Sequence, residues 1–436
     1  MTINKIWYPF SQEGIISDKI KIIRGKNEYL YDENGKYYID LISSWWTSIH
    51  GHCNPVLTKA IKGQIVKLDH VIFSDFTHEN AEKLIHNLDK STFGVFGKFF
   101  FSDNGSTAVE VAIKIAHQYW KNIDINNKNI VISFENGYHG DTLGAMSVGR
   151  RSGYFNQFTD LMPEFKFLKY PSTWIGDMDI IAKEDLVLQE FNNLIKEFNG
   201  RISSLIIEPL IQGAGGMNMC RIVFLENLVR ICNENKIIVI FDEVMTGFYR
   251  TGKMFAFQNT SISPDIMCLS KGITGGILPL GVTCIASWVY QVFFSKDINK
   301  SFLHGHSYTA NPITCAVANA SFDLIINEKT TTKIVEINSV YTNMLKQLQD
   351  SQFIEKVRYI GTILAFDIKI NNMRYGSVIS QKLKNAMIDE GLNLRPLGKT
   401  LYFMPPYCIS SQKLKKYINK AIKIIGNFAF CIFIHF

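Results

Sequence analysis

The sequence predicts an α/β fold, with a large domain built on a central, mostly parallel sheet and a smaller α+β domain beside it. Three observations lead there. Between about Ser43 and Asn327, short apolar runs rich in β-branched residues alternate with segments of helical periodicity. Strands that alternate with helices favour a parallel sheet covered on both faces. Outside that stretch the pattern changes, to a hairpin signature at the N-terminus and to a long helical stretch followed by a single strand at the C-terminus. The third observation is length: 436 residues suffice for one large α/β domain plus a smaller one. The predicted division is 1–42 and 328–436 for the small domain and 43–327 for the large one.

The elements follow in order. Tyr29 to Ile39 reads as strand, Asn34-Gly35 turn, strand. Lys98 to Phe101 is a strand, and a helix starts near Ser106. In that helix Val109, Ala112, Ile113 and Ala116 recur at helical spacing. Further strands are expected at Ile130 to Phe134, Leu205 to Glu208, Ile237 to Phe241, Ile266 to Leu269 and Val282 to Ala286. Leu225, Leu228, Val229 and Cys232 mark an amphipathic helix between two of them. After Glu328 a helical stretch leads to a strand at Gly361 to Ile368. A helix through Ile379, Leu383, Ala386 and Met387 stops at Gly391, as a C-terminal glycine predicts.

Composition narrows the function classes. Net charge is +7, from 46 basic and 39 acidic residues, and the lysines are dispersed without a basic stripe. That argues against a nucleic-acid partner. Eight cysteines contain no C-x-x-C pair, and most lie in apolar runs. Free thiols in a reducing, cytoplasmic compartment are expected. Met1 to Phe10 holds no extended apolar run, so no signal peptide is expected. Ile424 to Phe436 is very apolar, but a spanning helix needs roughly 20 residues. A docked terminal segment is expected, and no membrane partner.

The chemistry centres on Asp242 and Lys271. Asp242 ends the apolar run Ile237 to Phe241, and Lys271 follows the run Ile266 to Leu269. Strand C-terminal ends are where open α/β sheets bind ligands. A strand-end acid also serves as a metal ligand or helix cap, and a lone lysine is ordinarily a surface residue. Together, an amine and a carboxylate at neighbouring strand ends suit pyridoxal 5′-phosphate (PLP). That cofactor needs a lysine for covalent attachment and an acid facing its pyridinium nitrogen. Lys271 would then act as general base. Gly105-Ser106, between a strand and a helix, suits a phosphate at a helix N-terminus, although a serine-capped turn reads the same way. Tyr138, in Tyr138-His139-Gly140-Asp141 after another strand, offers a ring to stack on a flat cofactor. Arg250-Thr251-Gly252 suggests an anion or ion-pair role. His304 and His306 lack a third ligand at sensible spacing, so no metal is expected.

The set resembles the class III PLP-dependent aminotransferases of fold type I. Gly105-Ser106, Tyr138-His139-Gly140, Glu208-Pro209, Asp242-Glu243, Arg250-Thr251-Gly252, Ser270-Lys271-Gly272, His304-Gly305-His306-Ser307 and Asn311-Pro312 carry the resemblance along nearly the whole chain. Asp242 and Lys271 stand 29 residues apart, as in the class. The resemblance implies a homodimer with active sites at the subunit interface. His306 and Ser307 would bind the phosphate of the partner's cofactor.

Ser43-Ser44-Trp45-Trp46 narrows the substrate. Adjacent residues on a strand point to opposite faces, so one tryptophan is expected in the core and the other in a pocket. This run, Trp7-Tyr8-Pro9-Phe10, and Arg395-Pro396-Leu397-Gly398 with Tyr402 look like the family branch that aminates 8-amino-7-oxononanoate. Trp45 would line the pocket for the apolar chain and Arg395 would hold the carboxylate. An ion pair between the domains is the plainer role for Arg395. The resemblance also puts Tyr138, Gly305 and Phe10 at the substrate, with Asp141 supporting them. S-adenosyl-L-methionine is the implied amino donor. Phe10, where a tyrosine is usual, and His306-Ser307, where Pro-Thr is usual, leave L-lysine as an alternative donor. Rival readings are a transaminase for other ω-amines, a same-fold mutase or racemase, and a non-enzymatic descendant. Donor assays separate the first, half-reaction spectroscopy the second, and the joint presence of Asp242 and Lys271 argues against the third.

Overall fold

The computed structural model describes residues 5–11, 19–149, 156–162, 165–370 and 373–434. The central sheet has seven strands: β1 (Phe96–Ser102), β2 (Ile130–Phe134), β3 (Lys166–Leu168), β4 (Ile202–Ile207), β5 (Ile238–Asp242), β6 (Ile266–Leu269) and β7 (Gly281–Ala286). Their order across the sheet is β1-β7-β6-β5-β4-β2-β3. Every neighbouring pair is parallel except those made by β7, which runs antiparallel to β6 and β1.

The period of two along the strands explains why they read as continuous apolar runs. Ile206, Ile238, Ile240, Ile266 and Cys268 share one core with Ala108, Val109, Ala112, Ile115 and Ala116 of the helix Gly105–Asn122. Leu205, Ile207, Val239, Phe241, Met267 and Leu269 belong to the other core, with Phe224, Leu225, Leu228 and Val229 of the helix Ile222–Glu234. Successive side chains point to opposite faces, and both faces are covered.

Two local details differ from expectation. The helix after β1 begins at Gly105, and its N-cap is Asn104 rather than a serine. The Asn104 side chain accepts the Thr107 N–H at 3.0 Å, and the Thr107 hydroxyl accepts the Asn104 N–H at 3.1 Å. This reciprocal cap leaves the serine hydroxyl uncommitted to capping. The N-terminal turn is wider than a two-residue Asn-Gly hairpin. Asp32 Oδ1 accepts N–H groups from both Asn34 and Lys36, at 3.0 and 2.9 Å, and Gly35 sits at φ +81°.

Strands Tyr29–Asp32 and Tyr37–Asp40 pair antiparallel, and Ile22–Lys26 extends them. Leu392–Asn393 pairs parallel with Tyr37–Asp40, so the first and last parts of the chain share one sheet. A separate three-stranded sheet joins Ile354–Ile360, Ile363–Ile368 and Thr400–Phe403. The apolar C-terminus lies in the helix Ser411–Ile434, which buries Leu414, Ile418, Ala421, Ile425 and Ala429 at helical spacing. No described helix is long and apolar enough to cross a membrane. The seven cysteines whose side chains are described are all free.

Candidate active site

Asp242 is the last residue of β5, and it lies opposite Cys268 of β6. Lys271 follows three residues later, so sheet register brings the acid and the amine to the same edge. Asp242 is only 4% exposed. Its Oδ2 lies 2.7 Å from His139 Nδ1, and its Oδ1 accepts the Val244 N–H at 3.0 Å.

Glu208, just beyond β4, supports the same edge. Its two oxygens accept the N–H groups of Tyr138 at 3.0 Å and Gly213 at 2.8 Å. Burial pushes its carboxyl up, to about 7; the His139 ring opposes that rise and the Asp242 charge adds to it. Burial pulls the Lys271 amine below the ordinary lysine range, against the attraction of Asp242 and Glu208. Lys271 stands at φ +39°, in the left-handed region that non-glycine residues rarely adopt. Such strain collects at functional sites. Its Nζ lies 5.0 Å from the ring centroid of Trp46.

These groups open onto one cavity of about 700 Å³, whose wall includes Phe10, Trp45, Gly105, Ser106, Tyr138, Asp242 and Lys271. Tyr138 donates its hydroxyl to Asp141 Oδ2 at 2.9 Å. Gly105 is required by packing as well as by any ligand: a Cβ there would stand 2.7 Å from Val244 Cγ1. Gly140, at φ +132°, lies so close to Ser106 that a side chain would overlap it.

The two tryptophans do diverge, but not on a strand. They lie in a tight turn where Ser43, Ser44 and Trp46 all take positive φ, at 48°, 60° and 68°. Trp46 is 4% exposed and donates its Nε1 proton to the Tyr402 hydroxyl at 2.9 Å, while still forming part of the cavity wall. Trp45 is 42% exposed. Phe10 meets it edge-on, with ring centroids 5.5 Å apart. Arg395 is not on the wall itself. Its guanidinium lies 5.0 Å from the centroid of Trp45, and it donates to the Tyr375 hydroxyl.

Gly305, His306 and Ser307 are not brought to this cavity. Gly305 and Ser307 are exposed, and His306 accepts the Tyr308 N–H on Nδ1 at 3.1 Å. The buried His306 Nε2 has no hydrogen-bond partner among the described residues. No metal-binding cluster occurs among the described residues. The expectation for Arg250 is overturned. It is fully buried and donates to the carbonyls of Pro405 at 2.9 Å and Trp46 at 3.4 Å, with no carboxylate bonded to it among the described residues. It ties the tryptophan turn to the segment after Thr400–Phe403. Sequence reasoning also passed over His139 and Glu208 as site residues. Both stood in quoted motifs, Glu208 directly after a buried strand, which was the available signal.

The residues fit PLP. One cavity offers an amine at Lys271, a hydrogen-bonded acid at Asp242, an aromatic wall at Tyr138 and a helix N-terminus at Gly105-Ser106. The first N–H groups of that helix have no intrahelical acceptor, which suits a phosphate. Comparison with known proteins points the same way. An adenosylmethionine-8-amino-7-oxononanoate aminotransferase from Synechococcus elongatus is 42% identical over 410 residues, covering 94% of this chain and 96% of that protein. The crystal structure of the enzyme of that name from Methanocaldococcus jannaschii matches with a TM-score of 0.88 at 30% identity, covering 97% of each chain. An amine transaminase from an uncultivated Pseudomonas species, solved in its PLP-bound form, matches with a TM-score of 0.91 at 25% identity, covering 98% of this chain and 99% of that one. The aminotransferase class-III family model matches residues 13–425. Along almost its whole length, then, the chain belongs to the class-III aminotransferases, which are PLP-dependent.

Proposed function

We propose that this enzyme transfers an amino group from S-adenosyl-L-methionine to 8-amino-7-oxononanoate, giving the 7,8-diaminononanoate of biotin biosynthesis. The observation that carries this is the aromatic pair Trp45 and Phe10 on the cavity wall, with the Arg395 guanidinium against Trp45. Trp45 and Phe10 offer apolar surface for a long chain, and Arg395 against Trp45 offers a guanidinium for its carboxylate. The full-length relatives named for this acceptor and donor support the reading. Phe10 lacks a hydroxyl but keeps the edge contact with Trp45.

Bound PLP supplies an electron sink for the charge left when a proton leaves the substrate carbon. The rest falls to the chain. Lys271 would hold the cofactor covalently and, as a free amine, would act as the base that moves the substrate's proton; burial favours its neutral, basic form. Asp242, oriented by His139 and the Val244 N–H, would hold the proton on the cofactor's ring nitrogen. Gly105 and Ser106 would hold its phosphate, and Tyr138 would supply an aromatic wall for its ring. The same cavity serves a donor and an acceptor in turn.

Gly305, His306 and Ser307 fit this scheme as contributors to the partner subunit's site in a cytoplasmic homodimer. Exposed apolar side chains adjoin them in the chain, Leu303 before and Tyr308 after. The test is a single-turnover absorbance scan of cofactor-loaded protein mixed separately with S-adenosyl-L-methionine and L-lysine, then with the oxo acid. Loss of the visible band with adenosylmethionine and its return with 8-amino-7-oxononanoate is expected. Loss with lysine alone would overturn the donor. Failure of the acceptor to restore the band would overturn the substrate.

A further inference from the structure

Asp40 is fully buried, stands outside the cavity, and has no part in the chemistry above. Its hydrogen bonds are nonetheless divided between the two elements that carry the acceptor-binding groups. On Oδ2 it accepts the Ser44 hydroxyl at 2.9 Å and lies 2.8 Å from His52 Nε2. On Oδ1 it accepts the Asn393 side-chain amide at 3.0 Å and the Ile42 N–H at 3.4 Å. Ser44 directly precedes Trp45 in the turn of positive φ. Asn393 stands two residues before Arg395, on the strand that pairs with Tyr37–Asp40. One carboxylate therefore clamps the left-handed turn that presents Trp45 to the strand that leads to Arg395.

The backbone of the turn does not explain itself. Ser43, Ser44 and Trp46 are L residues at positive φ, which costs free energy unless the surroundings hold them there. Asp40 supplies part of that hold through Ser44. Two further contacts, Ser43 Oγ to the Met404 carbonyl at 2.8 Å and Trp46 Nε1 to Tyr402, fix the turn from the other side. Only Asp40 links the turn to Asn393 among these contacts, and so to the register of Arg395 against the Trp45 ring.

We infer that Asp40 is a positioning residue for acceptor recognition: it sets Trp45 and Arg395 in the mutual geometry that grips a carboxylate-bearing apolar chain. The inference rests on the reading of Trp45 and Arg395 as the acceptor-binding pair. It separates two properties that a purely structural aspartate would not, because the donor half-reaction proceeds at Lys271 without needing that geometry.

The test uses cofactor-loaded enzyme and nonanoate, an inert chain with the acceptor's carboxylate and no keto group, with binding measured by calorimetry. Asp40→Asn keeps the volume but cannot accept from both arms. It is expected to weaken nonanoate binding by about tenfold, as loss of a hydrogen bond to a charged group does, while the donor half-reaction stays within about twofold. Ser44→Ala, which removes an exposed hydroxyl and leaves the fold intact, is expected to weaken it by about threefold. Unchanged nonanoate affinity in both Asp40→Asn and Ser44→Ala overturns the inference, as does equal weakening of both half-reactions. If wild-type protein neither binds nonanoate nor accepts the oxo acid, it is the substrate reading that fails. Asp40 is then scored on whichever keto acid the wild type uses, against its methyl ester. Loss of the preference for the acid in Asp40→Asn supports the role, and retention overturns it.

Discussion

Replacing Arg395 by alanine tests the substrate reading most directly. The guanidinium lies 5.0 Å from the Trp45 centroid and donates to the Tyr375 hydroxyl, with no carboxylate bonded to it among the described residues. Its charge is thus available to a ligand. A hydrogen bond between charged groups contributes about 1.5–3 kcal/mol, so the acceptor's KM should rise about 10- to 150-fold. The cation–π contact with half-exposed Trp45 accounts for only about 0.5–1 kcal/mol, so the protein should stay folded. The assay is stopped-flow absorbance of each half-reaction separately: amine-loaded enzyme with the oxo acid, and cofactor-loaded enzyme with the donor. The acceptor half-reaction should lose saturation while the donor half-reaction changes little. A variant in which both shift equally, or in which the acceptor's methyl ester loses as much as the acid, would refute the carboxylate role.

Three other outcomes are expected. Lys271→Ala should abolish turnover and the lysine-dependent visible absorbance of the loaded protein; an unchanged spectrum would move the attachment point elsewhere. Asp242→Asn is nearly isosteric and keeps an acceptor for the Val244 N–H, so it should bind cofactor yet slow both half-reactions about 10²- to 10³-fold, read as kcat in each direction. Glu243 is fully buried, and burial pushes its carboxyl from 4.5 to about 7, against N–H donors from Ala256 and Phe257. The folded state therefore holds a proton that the unfolded chain has lost, and stability should fall as pH rises from 4.5 to about 7, by at most about 1.4 kcal/mol per pH unit. Glu243→Gln should flatten the pH slope of the urea midpoint in cofactor-free protein; an unaltered slope would show that the carboxyl does not titrate there.

The central sheet was legible because its strands are buried on both faces. Ile130–Phe134 and Ile266–Leu269 stand out as apolar runs with sharp ends. Lys166–Leu168 was not legible: three residues with a lysine carry no period, and only pairing with β2 makes them a strand. Ile354–Ile360 was hidden for a related reason, since Glu355, Lys356 and Arg358 interrupt its apolar pattern. At the site, Asp242 and Lys271 could be read because each follows an obvious strand. His139 could not be assigned, because its role comes from a contact across 103 positions of sequence. Arg250 misled for the opposite reason. A buried guanidinium whose two terminal nitrogens bond backbone carbonyls looks, in sequence, like one awaiting an anion.

The sheet shared by the chain's two ends sets a timetable for synthesis. Asp40 and its partner Asn393 are 353 residues apart. At about 5–20 residues per second, the strand Tyr37–Asp40 waits about 18–70 s on the ribosome before Leu392–Asn393 emerges to cover its open edge. During that interval a tyrosine-rich edge is exposed to other nascent chains, which is where chaperone dependence would concentrate. The seven-stranded sheet, whose last strand in the chain ends at Ala286, can be complete well before then. The corner proposed for the acceptor therefore forms late, and a chain truncated before Leu392 would carry Asp242 and Lys271 without the Asp40–Asn393 contact.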